Sequence, residues 1–428
     1  MNGYLILDMI RRTKIVEKRD YYLQLFNDPD IHRKALGIQK DKLIHFIKRL
    51  RSNSFYNHYL TGVSDNDIDN CPYEVLKSFP ISDKTFLSNN YQQIRNPYYK
   101  GESCYTGGST GSPFHYFAGK EQLSSTIGFT MFLWTYLGDY DWKDSVIVVG
   151  GASIGDKQSI RKRVLHHLQG RTYVSGGEIN QDNALRLSRL INHARYPVVL
   201  YGYPSSICQY LLLFEELSLS IKTNNIKTIL TTSETLTNEK KGYLESFFQK
   251  DVINLYGARD GGISAGSKDN RVFIYNGIDC VAESIDIDGT KELVLTNLDS
   301  DAFPFVRYRN GDIANTSLSL DGYPFLLTDL QGRTRDFIHI SRSNKVHGSQ
   351  INKIFKDYPV IEYQILQHKD YSCDIRIQTS RDISNGDITS LTMRFKHLLG
   401  DIPFHIIVVE RLERGKNNKL RNVISEVN

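Results

Sequence analysis

The chain has 428 residues, of which 40% are hydrophobic, 24% charged and 11% aromatic; this is enough apolar material for more than one globular core and excludes disorder as its default state. Its 31 Gly and 11 Pro follow no triplet period and form no low-complexity tract, which removes collagen-like and linker-dominated architectures. The formal net charge of +5, from 53 Lys+Arg against 48 Asp+Glu, is spread rather than blocked, so it argues against nucleic acid as a partner and leaves room for an anionic small ligand. No run of about 18 uninterrupted apolar residues occurs, so no membrane span is expected. Asp8, Arg11 and Arg12 interrupt the first stretch before a signal-peptide core could develop. Cys71, Cys104, Cys208, Cys280 and Cys373 lie far apart without a C-x-x-C pair, which fits reduced, mostly buried thiols. The expectation is a soluble cytoplasmic protein.

Residues 1–100 read as mostly helical and aromatic-rich and do not separate from the larger domain. From about residue 120 to 257, apolar β-rich runs alternate with helical spacing, the rhythm of a parallel sheet covered by helices. The strands are SVIVVG (Ser145 to Gly150), PVVLYG (Pro197 to Gly202), IKTILTT (Ile226 to Thr232) and VINLYG (Val252 to Gly257). The helices are Ser159 to Leu168, Asp182 to Ala194, Ser205 to Leu217 and Asn238 to Phe248. After Gly262 short alternating strands and the Asp288-Gly289 and Asp321-Gly322 turns predict an antiparallel part. The polar stretch GRTRD (Gly332 to Asp336) then leads into a last block with a helix at Thr389 to Leu399 and strands at Ile361 to Leu366, Asp374 to Thr379 and His405 to Glu410. The fold class is therefore α/β: a large N-terminal domain, 1–332, with a parallel sheet flanked by helices plus an antiparallel β part, and a small α+β C-terminal cap domain, 333–428.

One segment carries chemistry on its own. In ESCYTGGSTGSPFHYF, Thr106, Gly107, Gly108, Ser109, Thr110, Gly111 and Ser112 sit between two aromatic, strand-like flanks. Glycines let backbone amides approach an anion and hydroxyls add donors, the makings of a phosphate nest. It is no Walker loop, since the required Lys is missing and a strand rather than a helix comes next; a glycine-rich hairpin turn would carry the same residues. No G-x-S-x-G elbow is present, which argues against a serine hydrolase. His166-His167 are adjacent helical residues and point apart, so a surface or capping role suits them better than metal.

Downstream come NLYGARDGG from Asn254, ELVLTNLDSDAFPFVRYRNGD from Glu292, GRTRDFI from Gly332 and RLERGKNNKLRNVISEV from Arg411. With the Gly-rich loop, their order and spacing resemble the adenylate-forming superfamily of acyl-CoA synthetases, peptide-synthetase adenylation domains and luciferases. The resemblance is nearest to the phenylacetate:CoA ligase-like branch and, through GSTGSPFHY, VVLYGYPSS and KLRNVISEV, to adenylating enzymes found with capsule polysaccharide genes. It covers residue 100 to the C-terminus.

That resemblance implies roles. Thr106 to Gly111 would hold the β- and γ-phosphates of ATP, with Ser109 and Thr110 in direct contact. Tyr256, with Gly257, would pack on adenine; Asp312 in RYRNGD would accept from both ribose hydroxyls; Arg333 would lie near ribose and phosphate. Asp260 stands where the family usually carries a Glu that coordinates Mg2+. Arg335 and Asp336 would form the hinge. Lys419, preceded here by Asn418 rather than the usual Gly, would be the catalytic lysine that neutralises charge at the α-phosphate. Arg307 and Arg309 are expected to be structural. The acyl pocket is expected at the C-terminal ends of the parallel strands, near Tyr201, Gly202, Tyr203 and Glu234 and the Tyr256 turn, although an exposed loop carboxylate reads Glu234 equally well, and a solvated basic tail reads the Arg411 to Arg421 charges.

The implied reaction joins a carboxylic acid to ATP, giving acyl-adenylate and pyrophosphate, and then transfers the acyl group to a thiol, with CoA as first choice. A carrier-protein thiol, an amine or a surface-polysaccharide sugar as acceptor, an adenylyltransferase that leaves AMP on its substrate, and a non-catalytic nucleotide-binding scaffold stay open. So do the acid and the oligomeric state, a homodimer included.

Overall fold

The computed structural model describes residues 3–105, 114–150, 169–287, 290–333, 337–341, 345–347, 351, 354–355, 358–414 and 420–427. The chain forms two compact units, one of residues 1–137 and 255–330, the other of residues 138–254 and 331–428.

In chain order the helices are α1 (Gly3–Arg11), α2 (Ile15–Phe26), α3 (Ile31–Leu50), α4 (Asp65–Asn70), α5 (Pro72–Lys77), α6 (Lys84–Asn89), α7 (Tyr91–Ile94), α8 (Lys120–Gly138), α9 (Gln181–Asn192), α10 (Pro204–Glu216), α11 (Asn238–Phe248) and α12 (Asn385–Leu399). The strands through the first half are β1 (Glu102–Tyr105), β2 (His115–Ala118), β3 (Ser145–Gly150), β4 (Arg171–Ser175), β5 (Val198–Gly202), β6 (Ile226–Thr232), β7 (Val252–Ala258), β8 (Ile263–Ser267) and β9 (Val272–Tyr275). The later strands are β10 (Cys280–Ile287), β11 (Thr290–Asn297), β12 (Tyr308–Leu318), β13 (Phe325–Arg333), β14 (Phe337–His339), β15 (Lys345–His347), β16 (Val360–Gln367), β17 (Cys373–Thr379), β18 (Phe404–Val408) and β19 (Val423–Ser425).

In the first unit, α3 buries Ile31, Ala35, Leu43, Phe46, Ile47 and Leu50, a three-to-four spacing that gives one apolar stripe. α4 begins at a capping box in which Ser64 and Asp67 satisfy each other's backbone amides. Aromatic rings fill the core: Tyr22 of α2 meets Phe129 of α8 edge-to-face at 4.6 Å. Gly128 makes this approach possible, because a Cβ there would sit 2.6 Å from the Cβ of Lys18. The antiparallel part expected after Gly262 is present, β10 pairing with β11, β11 with β12, β13 with β9 and β9 with β8. Beneath it Lys42 of α3 makes 2.6 Å ion pairs to both Asp279 and Asp299. Burial alone would depress its pKa, but the two carboxylates outweigh that and hold the ammonium above its ordinary value.

In the second unit the parallel strands take the order β6-β5-β3-β4. β3, β5 and β6 are buried almost throughout, which explains their continuous apolar sequences. β4, RTYVS, is the strand the sequence reading does not single out: it is polar, and its first three residues are partly exposed. α9 starts one residue before the expected helix because the Asn180 side chain accepts from the Asn183 amide, and α11 matches its expected span behind a Thr237 cap. The expected helix Ser159 to Leu168 and His166-His167 lie outside the described residues. The last block is the small α+β element expected, with sheet order β18-β17-β16-β19 and α12 packed through Leu391, Phe395 and Leu399. α12 starts earlier than the pattern suggests, at Asn385, because Ser384 and Asp387 form a capping box.

Among the described residues, no helix is long and apolar enough to cross a membrane. All five cysteines are free, Cys71 exposed and the others buried.

Candidate active site

Within the first unit, Tyr256 stands near the end of β7, beside β12. The Tyr256 hydroxyl donates to Asp312 Oδ2 at 2.7 Å, and Asn310 Nδ2 donates to the same carboxylate oxygen at 2.8 Å and to the Tyr256 oxygen at 2.9 Å. The Asp312 amide closes the set by donating to Asn310 Oδ1 at 3.0 Å. Gly311 at φ +82° lets the chain turn within β12 so that Asn310 and Asp312 share one edge. Burial and the adjacent Asp312 charge push the Tyr256 phenol well above its ordinary pKa, so it remains a donor. Of the residues expected at adenine and ribose, Tyr256 and Asp312 are thus brought together. Asn310 is the member that sequence reasoning missed, and its signal was the Asn-Gly dipeptide inside an otherwise strand-like segment.

Asp260 lies two residues past β7 and accepts from the Tyr308 hydroxyl at 3.0 Å through Oδ2. Among the described residues no group of three or more His, Cys, Asp or Glu gathers as a metal cage. A single carboxylate is nevertheless what Mg2+ takes when substrate phosphates and water supply its other ligands, so Asp260 fits that use. Arg307 and Arg309 pair with Glu283 and Glu292, the structural part expected of them.

The flanks of the Gly-rich loop form a hairpin, with Tyr105 opposite His115 in the β1–β2 ladder. Thr106 to Gly111 themselves lie outside the described residues, as do Arg335, Asp336 and Lys419. Arg333 ends β13, and its side chain is also outside them.

In the second unit, Tyr201 and Gly202 end β5. A Cβ on Gly202 would lie 2.0 Å from the carbonyl oxygen of Val149, so only glycine allows β5 this close to β3. The Tyr203 amide then donates to that same carbonyl at 3.1 Å. The side chain of Glu234, beyond β6, is only 5% exposed, so Glu234 is not an exposed loop carboxylate. Its Oε2 accepts from the Ser205 amide at the start of α10 (3.3 Å), and its Oε1 accepts from the Leu420 amide (3.0 Å). Arg414 donates to Ser205 Oγ at 2.7 Å and lies 3.8 Å from Glu234. Both described residues that border 415–419 are therefore held at Glu234. Behind them Glu362 lies 3.6 Å from both Lys240 and Arg414.

No protein-family model and no curated protein matches the chain. Solved structures do. 2-Hydroxyisobutyryl-CoA ligase in the postadenylation state, in complex with 2-HIB-AMP, aligns over 93% of this chain and 90% of its own at 14% identity, with a TM-score of 0.69. The chain shares the fold of this CoA ligase. An open conformation of the same ligase with 2-HIB-AMP and CoA aligns over 92% and 91% at 14% identity (TM-score 0.56), and an anthranilate CoA ligase in complex with anthranoyl-AMP over 75% and 66% at 14% identity (TM-score 0.51).

Proposed function

We propose that the protein is an ATP-dependent, AMP-forming carboxylate ligase of the phenylacetate:CoA ligase-like kind. The observation that carries the reading is the Tyr256–Asp312–Asn310 network: an aromatic ring and a carboxylate, held edge to edge on a chain with a CoA-ligase fold, suit adenine stacking and ribose recognition. Asp312 would accept from the ribose hydroxyls, while the Tyr256 and Asn310 donors fix its orientation.

In this reading the substrate carboxylate attacks the α-phosphate of ATP, pyrophosphate leaves, and a thiol, CoA first, takes the acyl group from the adenylate and releases AMP. Thr106 to Gly111 hold the leaving phosphates, and Lys419 neutralises charge at the α-phosphate. Mg2+ held by Asp260 would supply further neutralisation of the phosphates. Tyr201, Gly202 and Tyr203 border the acyl group. Residues 333–428 act as a cap turning about Arg335 and Asp336 between the two half-reactions, and Arg333 contacts the nucleotide near that junction. A role in surface-polysaccharide assembly, with a carrier protein, amine or sugar as acceptor, belongs to the same proposal as its alternative second step.

The test is pyrophosphate release from Mg-ATP across aryl, fatty and sugar-derived carboxylic acids, with Lys419→Ala as control. Release that depends on one acid class and is lost in the variant supports the reading, and CoA dependence of AMP release then identifies the acceptor. ATP binding without release for any acid class overturns it in favour of a scaffold.

A further inference from the structure

The second unit contains a cleft of about 740 Å³ at the N-terminal ends of β3 and β4, between Ser145–Ile147, Gly170–Thr172 and the second half of α9. Ligand crevices of open α/β sheets lie at the opposite, C-terminal ends of the strands, so this cleft is separate from the acyl pocket proposed above. Its floor is apolar, from Val146, Ile147 and Leu190. Its charged lining is of one sign: Arg171 from β4, and Arg186 and Arg189 from α9, with His193 just past the helix end. Residues 186, 189 and 193 are spaced three and four apart and so share one face of the helix.

Among the described residues no carboxylate lines the cleft. Asp144, just before β3, is already engaged by Lys227 at 2.9 Å and by the Asp141 amide at 2.7 Å. Among the described residues, Arg186, Arg189 and His193 have no side-chain hydrogen bond or ion pair. Cations in the last turn of a helix favour its dipole, which accounts for Arg189 singly. It does not account for Arg186 one turn earlier. Like charges grouped along one helix face repel, and a polyvalent anion would relieve them together.

We propose that this cleft binds a small phosphate-bearing ligand of nucleotide size, its phosphates on Arg186 and Arg189 and its less polar body on the Val146–Leu190 floor. The volume falls within the roughly 300–1,000 Å³ of small-molecule sites, and guanidinium forks suit phosphate oxygens. Nothing here depends on adenylation, since none of these residues belongs to the adenylate site.

The experiment is site-resolved hydrogen exchange of the full chain with ADP and, separately, inorganic tripolyphosphate. The expected result is slowed exchange at 145–147 and 186–193, with an apparent affinity that falls at least about tenfold in R186E/R189E and returns in R186K/R189K. These side chains are exposed, so the variants should fold. Tighter binding of ADP than of tripolyphosphate supports a nucleoside phosphate resting on the floor; equal binding supports recognition of phosphate groups alone. Absence of protection by either probe, or protection unchanged in R186E/R189E, overturns the proposal. Protection confined to the Tyr256 and Asp312 segments overturns it as well, while leaving the adenylation reading intact.

Discussion

Asp312 is the sharpest place to perturb the candidate site, because stability and nucleotide binding should respond differently to it. Its Oδ2 accepts from the Tyr256 hydroxyl at 2.7 Å and the Asn310 amide at 2.8 Å, and the residue is 8% exposed. A hydrogen bond to a charged group contributes roughly 1.5–3 kcal/mol. Asn310 keeps its 2.9 Å bond to Tyr256 in Asp312→Ala, so the loss should be less than the two bonds summed, about 3 kcal/mol in chemical denaturation. Tyr256→Phe removes one donor and keeps the ring, at about 1–2 kcal/mol. The double variant should show a coupling of about 1–2 kcal/mol, since both changes delete the same bond. Calorimetric titration with ATP supplies the second readout. Loss of two ribose hydrogen bonds, about 2.7 kcal/mol together, weakens binding roughly a hundredfold in Asp312→Ala, whereas Tyr256→Phe, which keeps the stacking face, should change affinity by less than about tenfold. Wild-type ATP affinity in a folded Asp312→Ala protein would refute the ribose assignment and leave the network a purely structural device.

Three further outcomes rest on the packing. Lys42→Met leaves Asp279 and Asp299 buried beside each other without their shared cation, and denaturation should show a loss of about 3–5 kcal/mol; a neutral result would mean that the carboxylates share a proton at little cost. Gly202→Ala forces a methyl to 2.0 Å from the Val149 carbonyl, so β5 must move; a melting temperature within a degree or so of wild type would contradict the close approach of β3 and β5. Glu234→Ala removes the acceptor of the Leu420 amide, and exchange of that amide should quicken at least about tenfold, the net worth of one such bond; unchanged exchange would show that Arg414 and the β16–β19 ladder hold the segment alone.

The β-rich runs of the second unit were legible because fully buried parallel strands require continuous apolar sequence, and the cores of residues 145–150 and 226–232 obey that. β4 escaped because an edge strand need not be apolar on both faces. That Tyr256 and Asp312 would lie together was expected only through motif resemblance; nothing in their local pattern distinguishes a ligand-facing Tyr from one capping a strand. Asn310 hid for a different reason: its role depends on the left-handed Gly311 next to it, and an Asn-Gly pair signals a turn whatever the Asn side chain does. Glu234 looked like a loop carboxylate because its partners, Ser205 and Leu420, are backbone amides 29 and 186 residues away, which no local spacing encodes. Lys42 belongs to the same class, since only the fold brings it to Asp279 and Asp299.

Glu362 gives the last test, and its sign discriminates between two physical accounts. It lies on β16 among Lys240 and Arg414, each 3.6 Å away, yet among the described residues neither carboxylate oxygen has a partner within hydrogen-bond distance. Burial raises its pKa above the ordinary 4.5, and the two cations offset this only in part. An acid with a raised folded pKa contributes its full stability below its unfolded value and loses it as pH rises through the folded value. Glu362→Gln cannot ionise and has no such loss. The melting temperature of the variant minus that of the wild type should therefore increase from about pH 4 to about pH 7. If the difference instead decreases over that interval, Lys240 and Arg414 more than repay the burial of the charge, and the cluster is a net clamp between β16, α11 and the segment before residue 415. The proposed turning of residues 333–428 would then have to break a favourable ion cluster and not merely expose a tolerated one, so the same variant should speed a cap-limited thioester step under the clamp account and leave it unchanged under the burial account.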